Sequence, residues 1–525
     1  MTTPVDAATV KGWLSEPGEI AFLDVREAGQ FGEGHAFFAV PAPYSRFELA
    51  LPQLVPNTAV RMVLCDAGDG VAERAAARAE ALGYASVHVL AGGVDGWGRA
   101  GYTLYAGVNL PSKTFGELIE HARHTPRLGA KAVAAMQAAG MNMVILDGRP
   151  FTEYSKMSIP GGVCCPNGEL ALRVRDLVPD PATTIVVNCA GRTRSIIGVQ
   201  TLIELGLPNP VYALENGTQG WFLAGLELER GAGRGYPGQT GSVSTDAARA
   251  LAARHGVRFV AAAEAGGWRG DRARTTYLLD VRTAEEFAQR SVAGFVHAPG
   301  GQLIQATDQW VGVKGARLVL LDADGVRAPV VAAWLRQLGH EACVLEGGLD
   351  AAAKLSWTRT ISAYAPAALR EVEGRDIASD VKAGRVNLID LRPSMSYRAG
   401  HASHGRWSIR SRIVAMIRDR AQPIVLVADE PVVAALAAID LGAAGVGDVR
   451  FLSGGHAAWL AAGLPVEATA PLPADADCID YLFFVHDRHD GNAAAAQRYL
   501  DWEIGLVAQL DAQERGVFRI TPTSP

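Results

Sequence analysis

The chain has 525 residues, 49% hydrophobic and 20% charged, with 49 Lys and Arg against 55 Asp and Glu for a net charge of −6. The length exceeds what one hydrophobic core organises and sets an expectation of roughly three to five domains. The mildly acidic balance argues against a nucleic-acid partner, and no basic segment leading into an apolar one opens the chain. No apolar run approaches the roughly 20 residues of a membrane span, so a cytoplasmic protein with no membrane partner is expected.

In chain order, FLDVRE at Phe22 to Glu27 is followed by an apolar run ending at Cys65, the loop CDAGDGV, and LAGGVDGW ending at Trp97. The same series then returns. ILDGRP at Ile145 to Pro150 precedes the strand-like Ile185 to Val187, the loop CAGRTRS at Cys189 to Ser195, a helix-like stretch Ile196 to Leu205, and LENGTQGW ending at Trp221. LLDVRT at Leu278 to Thr283 leads to Arg317 to Leu321, LLDADGVR and LEGGLDAA, and LIDLRP at Leu388 to Pro393 leads to LVADEPVV and LSGGHAAW ending at Trp459. The four aspartates lie 123, 133 and 110 residues apart, each a small-domain length. Short β-branched runs alternating with Ala/Leu-rich helical stretches predict parallel sheets covered on both faces, with ligands bound at the carboxyl ends of strands.

The expected divisions are residues 1–108, 109–235, 236–360 and 361–470, followed by a helical tail over 471–525. A linker is read in Arg230 to Ser242 and another at Pro471 to Pro473. In the tail, Asn492 to Gln513 reads as one amphipathic helix, with Tyr499, Trp502, Ile504, Leu506 and Leu510 as apolar surface for docking on a domain or a second subunit. The repeated Asp and Arg of the LD-x-R element read as a structural ion pair at a strand end, because a catalytic role is not needed four times.

Cys189 is presented between a strand and a helix. Unpaired N–H groups and the helix dipole favour an anion there and would depress a cysteine pKa, with Arg192 and Arg194 adding positive charge. A buried structural cysteine before an ordinary turn is the competing reading of the loop alone. Spacing to the tryptophan turn, 32 residues from both Cys65 and Cys189, places Cys65 at the equivalent position of the first domain, degenerate because Asp66 and Asp69 flank it. The third and fourth loops have no cysteine. Six irregularly spaced cysteines give no disulfide framework and no zinc pair. Cys164 and Cys165 read as small hydrophobes in a turn rather than a resolving thiol, and Cys343 as core. His401 and His404 suit a structural hydrogen bond, and His486 and His489 lack further ligands for a metal. No cofactor is called for.

Four LD-x-R elements, a C-x4-R loop after a buried strand and a downstream GG-x3-W turn resemble the rhodanese sulfurtransferase superfamily over about residues 1–470. The resemblance implies four tandem α/β domains, each a parallel sheet flanked by helices, and one persulfide-carrying cysteine, Cys189. A small anionic, thiosulfate-like donor would be cradled by Ala190, Gly191, Arg192, Thr193, Arg194 and Ser195, with Arg194 as main clamp. Ser195 also reads as a helix cap. Cys189 would take the outer sulfur and pass it to cyanide, a thiol or a protein acceptor by double displacement. Two alternatives stand beside this: a phosphatase or arsenate reductase on the same fold, disfavoured by the six-residue ring from Cys189 to Arg194, and a partner-binding regulatory scaffold. The sequence leaves the oligomeric state open.

Overall fold

The computed structural model describes residues 3–236, 244–268, 270–354, 364–483 and 491–520. Within them are four five-stranded, all-parallel sheets, each with its strands in the spatial order 1-5-4-2-3 counted along its own segment of chain. The second-domain sheet comprises Arg127–Leu128, Met143–Asp147, Val163–Cys164, Thr184–Asn188 and Val211–Leu214. Helices cover both faces, which is why the central strands read as unbroken apolar runs instead of alternating. Ile20–Asp24 is buried at every residue, and only the first residue of Thr184–Asn188 is partly exposed. The fourth domain adds a small antiparallel pair, His401–Ala402 with Val466–Glu467.

The LD-x-R element closes the second strand of each sheet with a buried ion pair. Arg26 Nη2 meets Asp24 at 2.7 Å, Arg149 meets Asp147 at 2.7 Å, Arg282 meets Asp280 at 2.6 Å and Arg392 meets Asp390 at 2.6 Å. The same guanidinium donates to the carbonyl eight residues on, Gly34, Met157, Arg290 and Gly400 respectively, and so fixes where the chain returns to the sheet. A buried arginine is tolerated because both its charge and its donors are satisfied. The structural reading of this motif therefore holds.

Contacts between domains are charged as well as apolar. Arg410 of the fourth domain reaches Glu48 of the first at 2.8 Å and Asp440 at 3.3 Å. Arg327 of the third reaches Glu169 of the second at 2.8 Å, with all three side chains Arg410, Arg327 and Glu169 buried. Over the described residues 491–520 the chain forms the helices Ala493–Gln509 and Ala512–Arg515, in place of the single helix expected over Asn492 to Gln513. Asp511 ends the first by capping the second, accepting from the Glu514 amide at 2.8 Å. The first tail helix docks on the helix Leu110–Arg123 and the second-domain loop, where Leu506 joins Phe37, Tyr105 and Leu110 in one apolar cluster.

Cys164, Cys165 and Cys343 are buried, Cys343 within the strand Glu341–Leu345. Burial pushes the Cys164 thiol up to about 12, a poor setting for a resolving thiol. His401 Nδ1 lies 2.9 Å from the Tyr397 carbonyl oxygen, the structural hydrogen bond expected of it, whereas His404 is a left-handed turn residue with φ 66°. His486, His489 and the Pro237 to Ser242 end of the first linker fall outside the described residues. No group of three or more metal-binding side chains occurs among the described residues, and no helix among them is long and apolar enough to cross a membrane.

Candidate active site

The loop from Cys189 to Ser195 leaves the carboxyl end of Thr184–Asn188 and enters the helix Thr193–Glu204. Its depth is set by the glycine turn. Gly217 has φ 55°, and a Cβ there would lie 2.2 Å from the Cys189 carbonyl oxygen, so only glycine permits the approach. The neighbouring Thr218 amide donates to that oxygen at 2.9 Å. The same clash is found between Gly93 and Asp66 O at 2.4 Å, Gly348 and Asp322 O at 2.6 Å, and Gly455 and Ala428 O at 2.7 Å.

These contacts, with the sheet register, correct one expectation. Asp24 pairs across the sheet with Cys65, as Asp147 pairs with Asn188. Cys65 is thus the counterpart of Asn188, and Asp66 is the counterpart of Cys189. Counting back from the tryptophans misleads because the turn from Gly83 to the strand Val87–Leu90 is one residue shorter than the turn from Gly206 to Val211–Leu214. Burial, reinforced by Asp24, holds the Cys65 thiol well above its ordinary pKa. The first, third and fourth loops therefore begin with Asp66, Asp322 and Ala428.

Cys189 is 2% exposed, with Sγ 3.6 Å from the Ser195 hydroxyl. Ser195 lies in the first helical turn and donates to the Arg192 carbonyl at 2.8 Å, while Arg192 occupies the cap position, so Ser195 is not the helix cap. Arg194 lines the cavity beside Cys189 and is held in a fork by Glu153, both Nη–Oε distances 2.8 Å. Burial works to lower the Arg194 pKa, but Glu153 and then Cys189 outweigh it and raise it, keeping the charge fixed. Arg192 does not join the cradle as expected. Its guanidinium is engaged by Glu117 at 2.7 and 3.0 Å and by Asn216 at 3.3 Å, anchoring the loop from outside. Thr193 Oγ1 donates to Glu503 of the tail helix at 2.8 Å.

Cys189, Ala190, Gly191, Thr193 and Arg194 form the floor of a cavity of about 420 Å³. Its walls come from four parts of the chain: Lys113 of the linking helix, Lys156 of the second domain, Gln302 and Gln305 of the third, and Trp502 and Glu503 of the tail. Lys113 is placed by Tyr499 and by Glu503, the latter at 3.3 Å. A Cβ on Gly191 would meet Glu503 Oε2 at 2.7 Å, so the loop glycine admits the tail carboxylate.

Sequence reasoning missed Glu153 and the remote walls. The internal repeats carried a signal for Glu153. It lies four residues after Arg149, as Glu286 lies four after Arg282, and only these two domains place an arginine at the sixth loop position, Arg194 and Arg327. The structure joins Arg327 to Glu286 at 2.8 Å just as it joins Arg194 to Glu153.

A family model described as Rhodanese-like domain matches residues 6–100, 129–224 and 259–354. The chain belongs to the rhodanese-like family. Among solved structures it is similar to the thiosulfate sulfurtransferase from Pseudomonas aeruginosa, at 41% identity, TM-score 0.88, and coverage of 98% of this chain and 99% of that one. Single-domain likenesses include the Alr3790 protein from Anabaena sp., at 24% identity over 18% of this chain and 82% of that one with TM-score 0.18. A rhodanese-related protein from Thermoplasma volcanium matches at 23% identity over 20% of this chain and 97% of that one, TM-score 0.18. No curated protein matches the sequence. The fourth sheet repeats the strand order of the other three, so the rhodanese-like chain carries four such sheets and a helical C-terminal region.

Proposed function

We propose that this rhodanese-like protein is a sulfurtransferase that moves sulfane sulfur from thiosulfate or a similar anionic donor, by way of a persulfide on Cys189, to a thiophilic acceptor. The observation that carries the reading is the floor of the cavity: among four homologous loops, only this one begins with cysteine, and it opens into a space lined by fixed cations. The near-full-length likeness to a thiosulfate sulfurtransferase supports the choice of chemistry.

The Cys189 thiolate attacks the outer sulfur of the donor. An S–S bond forms to Cys189 Sγ while the donor's own S–S bond breaks, and sulfite leaves with the electron pair. Arg194 and the loop amides face the donor's negative charge, while the Ser195 hydroxyl, whose own proton goes to the Arg192 carbonyl, accepts from the Cys189 thiol before it ionises. Glu153 holds the Arg194 fork in the orientation that faces the cavity. An acceptor nucleophile then takes the terminal sulfur and restores the Cys189 thiolate.

Intact-mass measurement after incubation with thiosulfate tests this. One added sulfur, lost in Cys189→Ser, together with stoichiometric sulfite release, is the expected result. Absence of the added sulfur in the unaltered protein overturns the reading, and turnover of an aryl phosphate or arsenate in its place favours the phosphatase alternative.

A further inference from the structure

The cavity is much larger than the donor chemistry needs. Thiosulfate has five heavy atoms and cyanide two, whereas 420 Å³ lies in the range that accommodates a drug-sized organic molecule. The surplus space is bounded by the third domain. There the helix Gly300–Gln305 and the turn Thr307–Gln309 direct Gln302, Gln305 and Gln309 to the cavity that contains Cys189.

This wall is built rigidly. Gly301 lies so close to the second domain that a Cβ on it would be 2.8 Å from the Gly168 amide nitrogen, and a Cβ on Gly168 would be 2.6 Å from the Gly301 nitrogen. Arg327, the third-domain counterpart of Arg194, is buried and bonded to Glu169 of the second domain at 2.8 Å. Gln305 itself is 9% exposed, and its Oε1 is buried with no hydrogen-bond partner among the described residues. A buried amide oxygen left without a donor is an unfavourable arrangement that a ligand N–H relieves. Glutamine amides both donate and accept, so they match the amide groups of a peptide-like molecule, and Lys156 at the rim matches a carboxylate.

Resting on the sulfurtransferase reading, we propose that the cysteine-less third domain supplies the acceptor subsite of the second, with Gln302 and Gln305 selecting an amide- and carboxylate-bearing thiol. The acceptor thiolate attacks the terminal sulfur of the Cys189 persulfide. A new S–S bond forms on the acceptor, the persulfide S–S bond breaks, and its electron pair stays on Cys189 Sγ. The acceptor proton is released to water before attack, and no oxidant or reductant is consumed.

The test compares three acceptors with the full-length protein: glutathione, which carries amides and carboxylates; 2-mercaptoethanol, which carries neither; and cyanide. In the double variant Gln302→Ala, Gln305→Ala, the ratio of glutathione to cyanide kcat/KM should fall about tenfold or more through KM, as expected for lost hydrogen bonds to a ligand. The 2-mercaptoethanol to cyanide ratio should stay within about twofold. Single-turnover loading of sulfur from thiosulfate reports on whether the variant is folded. A variant that loads sulfur yet loses all three acceptor reactions equally, or none, overturns the inference alone. A variant that fails to load is replaced by Gln305→Glu, where charge repulsion must disfavour glutathione over 2-mercaptoethanol, and equal rates overturn the inference. Failure of the unaltered protein to load sulfur overturns the sulfurtransferase reading and this inference with it.

Discussion

The second and third domains place two very different groups at the same point of the same loop. Where Cys189 sits above the first turn of Thr193–Glu204, Asp322 sits above Arg327–Gln337 and accepts from the Ala328 amide at 2.8 Å and the Gly325 amide at 3.1 Å. Asp66 of the first domain shares the bond six positions on, accepting from Ala72 at 3.0 Å, and takes its second from Gly68, two positions on instead of three, at 2.8 Å. The amide six positions after the loop's first residue, Ser195 in the second domain, is thus the one that a carboxyl side chain uses in the other two. The difference teaches that the turn presents amide donors that a carboxyl side chain occupies in two domains and that, on the sulfurtransferase reading, are left to sulfur in one. The arginine at the sixth loop position diverges in the same way. Arg194 faces a cavity, whereas Arg327 has become a bolt between domains, bonded to Glu286, Asp324 and Glu169.

The sharpest way to break this comparison is to exchange the roles. Cys189→Ser should lower sulfur transfer by on the order of 10³-fold or more, with no sulfur added to the protein by mass, while Asp322→Asn should leave transfer within about twofold. Comparable losses in the two variants sink the division of labour. Next in size, Arg327→Ala removes a bolt and leaves buried Glu169 with Arg173, at 3.2 Å, as its remaining partner, so unfolding should become easier by about 3 kcal/mol in a urea titration. A smaller loss than for an exposed pair such as Arg46–Glu430 contradicts it. Arg194→Ala should reduce kcat/KM for thiosulfate by about 10²-fold, with Arg194→Lys recovering part of the loss. Asp322→Ala leaves the Ala328 and Gly325 amides without their acceptor and should cost about 1–3 kcal/mol of stability without affecting sulfur loading.

The smallest effect is one of pH. Burial, and then Asp324, raise the Asp322 carboxyl from the ordinary 3.8 to about 7. The folded chain then holds a proton that the unfolded chain releases, so this group's stabilisation is full below about pH 4 and fades as pH rises through about 7. Asp322→Asn should flatten the thermal-stability profile across that window. An unchanged slope places the titration elsewhere.

Much of this was legible in the chain because the fold repeats itself. Four LD-x-R elements fixed the second strand of each sheet, and the Gly-Gly turns marked where each loop must lie, since only glycine tolerates a carbonyl oxygen 2.2–2.7 Å from its Cβ position. Cys189 and Arg194 followed from their own loop. Cys65 was misplaced because a one-residue difference in a turn far from the loop shifts a ruler laid from the tryptophan without moving the sheet. Arg192 resembled a ligand-binding arginine because sequence shows charge but not direction, and its partner Glu117 is 75 residues upstream. Lys113, Gln305 and Glu503 were invisible for a deeper reason: they approach Cys189 through packing between domains, and nothing in local periodicity encodes which faces of separate domains meet.

The bond between Thr193 and Glu503 spans 310 residues of chain. Contacts of such separation close late, because the intervening chain must be ordered before they form. During synthesis the second domain and its cysteine loop are complete well before the helix that roofs them is made. For that interval the loop lacks the Glu503 carboxylate against Gly191 and Thr193. Maturation of the site is consequently an event in time as well as in space: the cavity over Cys189 closes only when the helix Ala493–Gln509 arrives.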